Sequence, residues 1–506
     1  MNATTEKVNS STPIVSTHDA DDTRRSIVEG DLLPLSTPDP AAERRLRKKI
    51  DLHLIPIVSL LYLLCFIDRA NLGNAKIAGL DKDLGMTGYD YNIVLSVFYV
   101  SYILFGIPAV VVCKWVGPGW FLPTTSIMFG VCSVATAFVT SVPQACAIRF
   151  LLGIFETGMM PGIAYYLSRW YKRAELTFRL SLYIMMAPLA GAFGGLLAGG
   201  ILRLPRIGSL TSWRMIFALE GIVTIGVSII ALVILTDRPE TAIWLGPEEK
   251  ALVIARVRSE RVVGNEAVDA MGRRKFLRGV FSPVTLSVGF IFLLDAVTVQ
   301  TFAFFLPSII RTIFPEYTTI QQQLLTAPPY LAGAAMMVSM SALSWRSDRR
   351  QVFFKPSTVL VIIAYIVFLT SNNQWARYAA TFLASTVFTL GPLTNAQVAA
   401  NVVSDTARSA AIATNCIFAH CGGLIGSWTF VEWDAPLYRI GNGLNLAAAS
   451  GVLVLSTLTL LWMKADNRAR DARAMEVNGV DESLSGLPEK ELEDLDWQHP
   501  GFRWKP

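Results

Sequence analysis

The sequence predicts an all-α membrane protein with twelve transmembrane helices. Its 506 residues are 52% hydrophobic and only 16% charged, and the mean hydropathy is +0.44. A water-soluble chain of this length would need more charged residues to cover its surface. The hydrophobic residues are also grouped into runs of about twenty, which is the length that crosses the hydrocarbon core of a bilayer.

The hydrophobic runs follow one another along the whole chain. Short segments rich in proline, glycine and charge separate them. Six runs, a long charged linker and six further runs indicate two fused halves, so we predict two six-helix bundles. The predicted spans cover residues 53–75, 91–113, 120–139, 143–166, 177–201, 213–235, 283–310, 324–345, 357–370, 377–395, 409–430 and 444–463.

Polar segments flank and divide the two predicted bundles, which cover residues 51–236 and 282–464. Residues 1–50 are rich in serine, threonine, proline and aspartate, and we expect a disordered tail without a cleaved signal peptide. We assign residues 237–281 to a cytosolic central loop and residues 465–506 to a second tail. Lysine and arginine concentrate in the loops on the side of both termini, which predicts cytosolic termini. We expect a location in the plasma membrane, although the sequence does not separate it from the vacuolar membrane.

Several classes of function are disfavoured by this pattern. The net charge of +5 comes from basic residues beside the hydrophobic runs, so we expect no nucleic-acid partner. No glycine-rich loop followed by Lys-Ser/Thr is present to bind ATP. Neither a nucleophile elbow nor zinc-ligand spacing occurs, so we expect no enzyme, no metal and no cofactor.

Four charged side chains lie inside predicted spans, where ionisable groups are costly and indicate function. Asp68 and Arg69 lie in span 1, and Arg149 and Glu156 lie seven residues apart on one face of span 4. If the two spans face each other, two acids and two guanidinium groups surround one cavity. Such a set would provide for anion binding through arginine and proton coupling through a buried carboxyl group. The alternative is a charge network that only locks the helices together.

Three more ionisable residues lie in spans. Glu220 in span 6 is expected to have a structural role, and Asp295 lies in span 7. His420 in span 11 either joins the binding site or packs as a neutral, hydrogen-bonded histidine.

Several motifs resemble one known family. Together they resemble the anion:cation symporter family of the major facilitator superfamily, and most closely its fungal branch of allantoate, nicotinate, pantothenate and other vitamin permeases. The motifs are residues 66–75 (FIDRANLGNA), 149–158 (RFLLGIFETG), 190–198, 324–330, 347–350 and 499–503.

The resemblance implies alternating access between two six-helix bundles and proton-coupled uptake of a small organic anion. It gives Arg69 as the ligand of the substrate carboxylate, Asp68 as its proton-linked partner, Glu156 as the main proton carrier and Arg149 as the counter-charge of Glu156. The expected partners are the anion and the lipid bilayer, with the protein as a monomer. The candidate substrate-binding residues are Arg69, Asn71, Arg149, Gln397, Asn401 and His420, and the candidate proton-coupling residues are Asp68 and Glu156.

The chain departs from the family pattern mainly in its second half. In span 10 the usual tryptophan and paired asparagines appear as Gln397, Ala400 and Asn401, and in span 11 a Gly-Asn pair is replaced by Ala419 and His420. These departures leave the anion unidentified. Two alternatives remain open at this point, namely an efflux carrier of the same superfamily and a transporter-like sensor.

Overall fold

Helices joined by turns and loops make up the part of the chain that the structure describes. The structure is a computed structural model, and it describes residues 40–171, 173–205, 208, 210, 212–259, 273–347, 349–402, 405–476, 496–499 and 501–505. Within these ranges no β-strand forms. Nine of the described helices are long and apolar enough to cross a membrane, and the prediction of an all-α membrane protein is confirmed.

The first half contains the helices that position the predicted charge cluster. Predicted span 4 is interrupted at Thr157 and Gly158 and therefore consists of two helices. The helices are α1 (Pro40–Ala75), α2 (Asp90–Val116), α3 (Pro118–Thr136), α4 (Val142–Glu156), α5 (Met159–Ser168), α6 (Arg173–Ile184), α7 (Met186–Ile201) and α8 (Trp213–Ile234).

The linker and the second half add nine helices to the described part of the chain. A 3₁₀ turn, Ser385–Thr389, joins two of them. They are α9 (Pro247–Ser259), α10 (Arg273–Val280), α11 (Pro283–Ile313), α12 (Thr319–Ser347), α13 (Phe354–Thr370), α14 (Gln374–Ala384), α15 (Leu390–Ala400), α16 (Asp405–Gly426) and α17 (Arg439–Glu476).

The predicted segments agree with these helices to different degrees. Spans 3, 8 and 10 are helical but are not among the nine candidates, so the count of twelve stays a prediction. Residues 40–50 of the predicted tail are helical in α1, and the central loop contains α9 and α10. Residues 1–39, 260–272 and 477–495 lie outside the described residues.

The two halves contact each other at one end of the molecule, which we call the distal face, and α15 also contacts α6 nearer the other end. The distal face carries the ends of α1, α7, α11 and α16; the other end, near residues 501–505, is the tail face. Asn92 Nδ2 donates to the carbonyl oxygens of Ser427 at 2.5 Å and Phe430 at 3.3 Å. Trp428 Nε1 donates to Ser96 Oγ at 2.7 Å. Hydrogen bonds therefore connect the halves on this face.

Close backbone approach also joins the halves below the distal face. Gly73 of α1 faces α11, and a Cβ atom added there would lie 2.5 Å from the carbonyl oxygen of Phe304. Only glycine permits that spacing without a shift of the backbone. The contact brings Phe304 beside the part of α1 that carries Asp68 and Arg69.

Candidate functional site

An ion pair between α1 and α4 lies at the centre of the charge cluster. Arg69 Nε donates to Glu156 Oε2 at 2.6 Å, and both side chains are buried. The guanidinium group lies 4.7 Å from the ring centroid of Phe66 and 5.1 Å from those of Phe98 and Tyr102. Cation–π contacts with three aromatic rings therefore replace part of the hydration of the guanidinium group.

A second, looser ion pair lies beside the first. Arg149 Nη1 approaches Asp68 Oδ2 at 3.4 Å, and both residues are buried. Arg149 Nε and Nη2, together with Asp68 Oδ1, have no hydrogen-bond partner. Buried polar atoms normally have partners, so this pair retains donors that a ligand could use.

The ion pairs differ from the sequence-based expectation. Spans 1 and 4 do face each other, but Glu156 contacts Arg69, whereas Arg149 was expected to be its counter-charge. Seven residues correspond to about 10 Å of rise along a helix. Asp68 and Arg69 occupy the gap between the two α4 side chains, so each α4 residue pairs with the neighbour of opposite charge on α1.

Asn71 lies one turn from Asp68 on α1 and contacts α8. Its Nδ2 donates to Glu220 Oε2, which leaves Asn71 Oδ1 and Glu220 Oε1 without partners. Asn71, a candidate substrate-binding residue, therefore contacts a buried acid. An ionisable residue inside a membrane span is costly unless it has a polar partner, so the position of Glu220 in span 6 indicated that such a partner exists.

His420 connects the second half to the cluster. Its ring stacks on Tyr102 with centroids 3.9 Å apart, and Nδ1 lies 2.6 Å from the carbonyl oxygen of Cys416. Because a carbonyl oxygen only accepts, Nδ1 carries the proton and donates. Tyr102 thus lies close to both His420 and the guanidinium group of Arg69. The sequence did not identify Tyr102 or Phe98, since aromatic residues in a span are unremarkable by themselves.

Gln397 and Asn401 have another partner. Gln397 Nε2 and Asn401 Nδ2 donate to the carbonyl oxygen of Lys505 at 2.8 and 3.0 Å, and Lys505 N donates to Asn401 Oδ1 at 2.8 Å. The structure therefore brings these two predicted substrate ligands to the tail, not to the charge cluster.

Both arginines of the cluster line a small cavity. Its volume is about 10 Å³, which holds about one water molecule. A carboxylate substrate can enter only if the surrounding side chains separate. The lining comes from both halves and consists of Arg69, Leu72, Leu95, Phe98, Arg149 and Phe304.

Asp295 of α11 lies apart from the cluster. It is buried at 4% exposure, its Oδ2 has no hydrogen-bond partner, and it borders another cavity of about 10 Å³ with Thr298 and Thr358. Within the described ranges, no group of histidine, cysteine and acidic side chains could hold a metal ion. The cluster of two arginines and two acids is therefore the candidate site.

Two neutral substitutions of buried aspartates should have different effects on stability. Asp68→Asn leaves Arg149 as a buried cation without its ion-pair partner, which costs about 3–5 kcal/mol. Asp295→Asn replaces a carboxyl group that has no cation beside it, so the loss should be much smaller. Thermal unfolding of the two purified variants in detergent measures the difference. An equal drop in melting temperature would contradict the assigned ion pair.

Comparison with known proteins identifies the family. An uncharacterized transporter of Schizosaccharomyces pombe is 30% identical over 480 residues, covering 92% of this chain and 91% of that protein. The high-affinity nicotinic acid transporter of Saccharomyces cerevisiae is 28% identical over 459 residues, covering 89% and 83%. A bacterial homolog of the human lysosomal transporter Spinster, solved in an inward-facing and unoccupied conformation, shares the fold with a TM-score of 0.59 and 15% identity, covering 80% of this chain and 94% of that one. Residues 58–427 match the Major Facilitator Superfamily, and the chain belongs to this superfamily of transporters.

Proposed function

We propose that this transporter takes up a small organic anion together with a proton, by alternating access. One observation carries the proposal: Arg69, the cation best placed to bind a carboxylate, is held by Glu156, a group that can take up a proton. One of the relatives is named for nicotinic acid, which is itself a carboxylic acid. A plasma-membrane location, cytosolic termini and a monomeric state are parts of the same proposal.

Charge balance explains why an anion would need a proton. Asp68, Arg69, Arg149 and Glu156 carry two positive and two negative charges when all are ionised. An uncompensated charge in a buried site costs several kcal/mol. An anion that enters this neutral cluster alone therefore meets that cost, whereas an anion that enters with one proton does not.

Glu156 is the group that makes the exchange possible. When it binds a proton, its charge no longer holds Arg69, and the planar guanidinium group can bind a carboxylate through two parallel hydrogen bonds. Arg149 lines the same cavity, and its unpartnered Nε and Nη2 are donors that the ligand can use. The carboxylate thus replaces Glu156 as the partner of Arg69.

The cavity also connects binding to the movement of the two halves. Phe304 of α11 lines it together with residues of α1, α2 and α4. His420 reaches the same region through Tyr102. A bound anion would therefore contact both halves, and this is the condition for its binding energy to affect their relative position.

Glu156→Gln should abolish accumulation driven by a pH gradient while exchange of internal for external anion survives. The amide cannot take up a proton, so the variant loses coupling but keeps a neutral group beside Arg69. The measurement is uptake into proteoliposomes of labelled carboxylates, beginning with nicotinate, with and without a proton gradient. Glu220→Gln is the matched control, because this acid is also buried but contacts Asn71; it should keep accumulation. Full gradient-driven accumulation by Glu156→Gln would exclude the proposed role.

A double variant separates transport from helix locking. Arg69→Gln and Glu156→Gln each leave one buried charge unpaired and should lower the melting temperature, while the double variant removes both charges and should recover most of the loss. Both accumulation and exchange should be absent in the double variant because Arg69, the proposed ligand of the carboxylate, has been removed. Recovery of both stability and transport would show that the pair only locks the helices.

A further inference from the structure

The tail segment, residues 496–499 and 501–505, packs on the tail face of the second half. Trp504 is only 2% exposed. Its indole lies in an apolar cluster to which four helices contribute, with Val288 from α11, Val398 from α15, Ala411 from α16 and Met463 from α17. A large aromatic side chain buried in this way contributes several kcal/mol to docking.

The polar groups of Trp504 are also satisfied in the pocket. Its indole Nε1 donates to Asp466 Oδ2 at 2.7 Å. Its main-chain N donates to Asn467 Oδ1 at 2.9 Å, and Asn467 Nδ2 donates to its carbonyl oxygen at 2.8 Å. A buried indole N–H needs such a partner, so the pocket is matched to tryptophan in particular.

The main chain of the next residue, Lys505, is bound in the same manner. Asn401 accepts from Lys505 N and donates to its carbonyl oxygen, and Gln397 adds a second donor to that oxygen. On the other side, Arg470 Nη1 donates to the carbonyl oxygens of Trp497 and His499 at 3.3 Å. Three side-chain amides therefore bind the main-chain nitrogen and oxygen atoms of two consecutive residues, Trp504 and Lys505.

We propose that this tail pocket, formed by Gln397, Asn401, Asp466, Asn467 and the apolar cluster, is a binding site for a tryptophan-bearing peptide, and that residues 501–505 are its resident ligand. The inference is independent of the proposed anion and proton. It assigns a role to two amides that the sequence placed in the substrate site.

Occupancy of the tail pocket fixes one end of α15. Asn401 directly follows that helix, and α15 packs against α6 of the first half. A docked tail ties α15 to α17 through Asn401, Lys505 and Asn467. Release of the tail would therefore loosen the side of the second half that meets the first half near the tail face.

Labelling of a buried position tests the site in the full chain. Met463→Cys, made after the six native cysteines are replaced by serine, places a thiol in the apolar cluster. A maleimide should react slowly with it, and Trp504→Ala should raise the rate at least about tenfold, since loss of a buried tryptophan costs several kcal/mol. A synthetic peptide of residues 496–505, added to the Trp504→Ala protein, should restore protection, whereas the same peptide with alanine in place of tryptophan should not.

Two further variants keep the test decisive. Trp433→Ala alters an exposed tryptophan near the distal face, 63% exposed, and should leave the labelling rate unchanged. Asn467→Ala removes two hydrogen bonds to the main chain of Trp504 without altering the apolar cluster, and should raise the rate several-fold even if Trp504→Ala fails to fold. Protection that survives both Trp504→Ala and Asn467→Ala, or a peptide that restores none, would overturn the proposal.

Discussion

The contact between Arg69 and Glu156 is the interaction on which the rest of the site depends. It joins α1 to α4 at 2.6 Å, and three aromatic rings lie beside its guanidinium group. A buried pair of this kind adds little net stability, because desolvation offsets much of the attraction, but loss of one partner is costly. The same property suits the pair for coupling. When Glu156 binds a proton, Arg69 becomes a buried cation without a counter-charge, which favours binding of another anion.

The molecule surrounds this contact with groups that limit what can replace it. Asp68 and Arg149 keep the cluster neutral, and the cavity beside them admits about one water molecule. Hydrogen bonds between Asn92 and the carbonyls of Ser427 and Phe430 connect the halves at the distal face. Ligand entry, ion-pair separation and movement of the halves are therefore expected to occur together.

The sequence predicted the class of fold, because hydrophobic runs of about twenty residues match the thickness of a bilayer. It also predicted the members of the cluster, because a charged side chain inside such a run is energetically unfavourable and indicates function. It did not predict which arginine meets which acid, since that depends on side-chain direction across two helices. Nor could it connect Asn401 to Lys505, which lies about a hundred residues further along the chain and shares no local pattern with it. Amide side chains bind substrate and peptide groups equally well, so residue type alone could not assign Gln397 and Asn401.

The central claim is that one proton binds Glu156 for each monovalent anion that binds Arg69, so that the cluster stays neutral throughout the cycle. Uptake of a monovalent carboxylate such as nicotinate into proteoliposomes, measured at a fixed pH gradient while a potassium diffusion potential is varied, tests this claim most directly. The account predicts accumulation that follows the pH gradient and is unaffected by the potential. Accumulation that rises or falls with the potential would show that net charge moves with the anion and would contradict the exchange at Arg69 and Glu156.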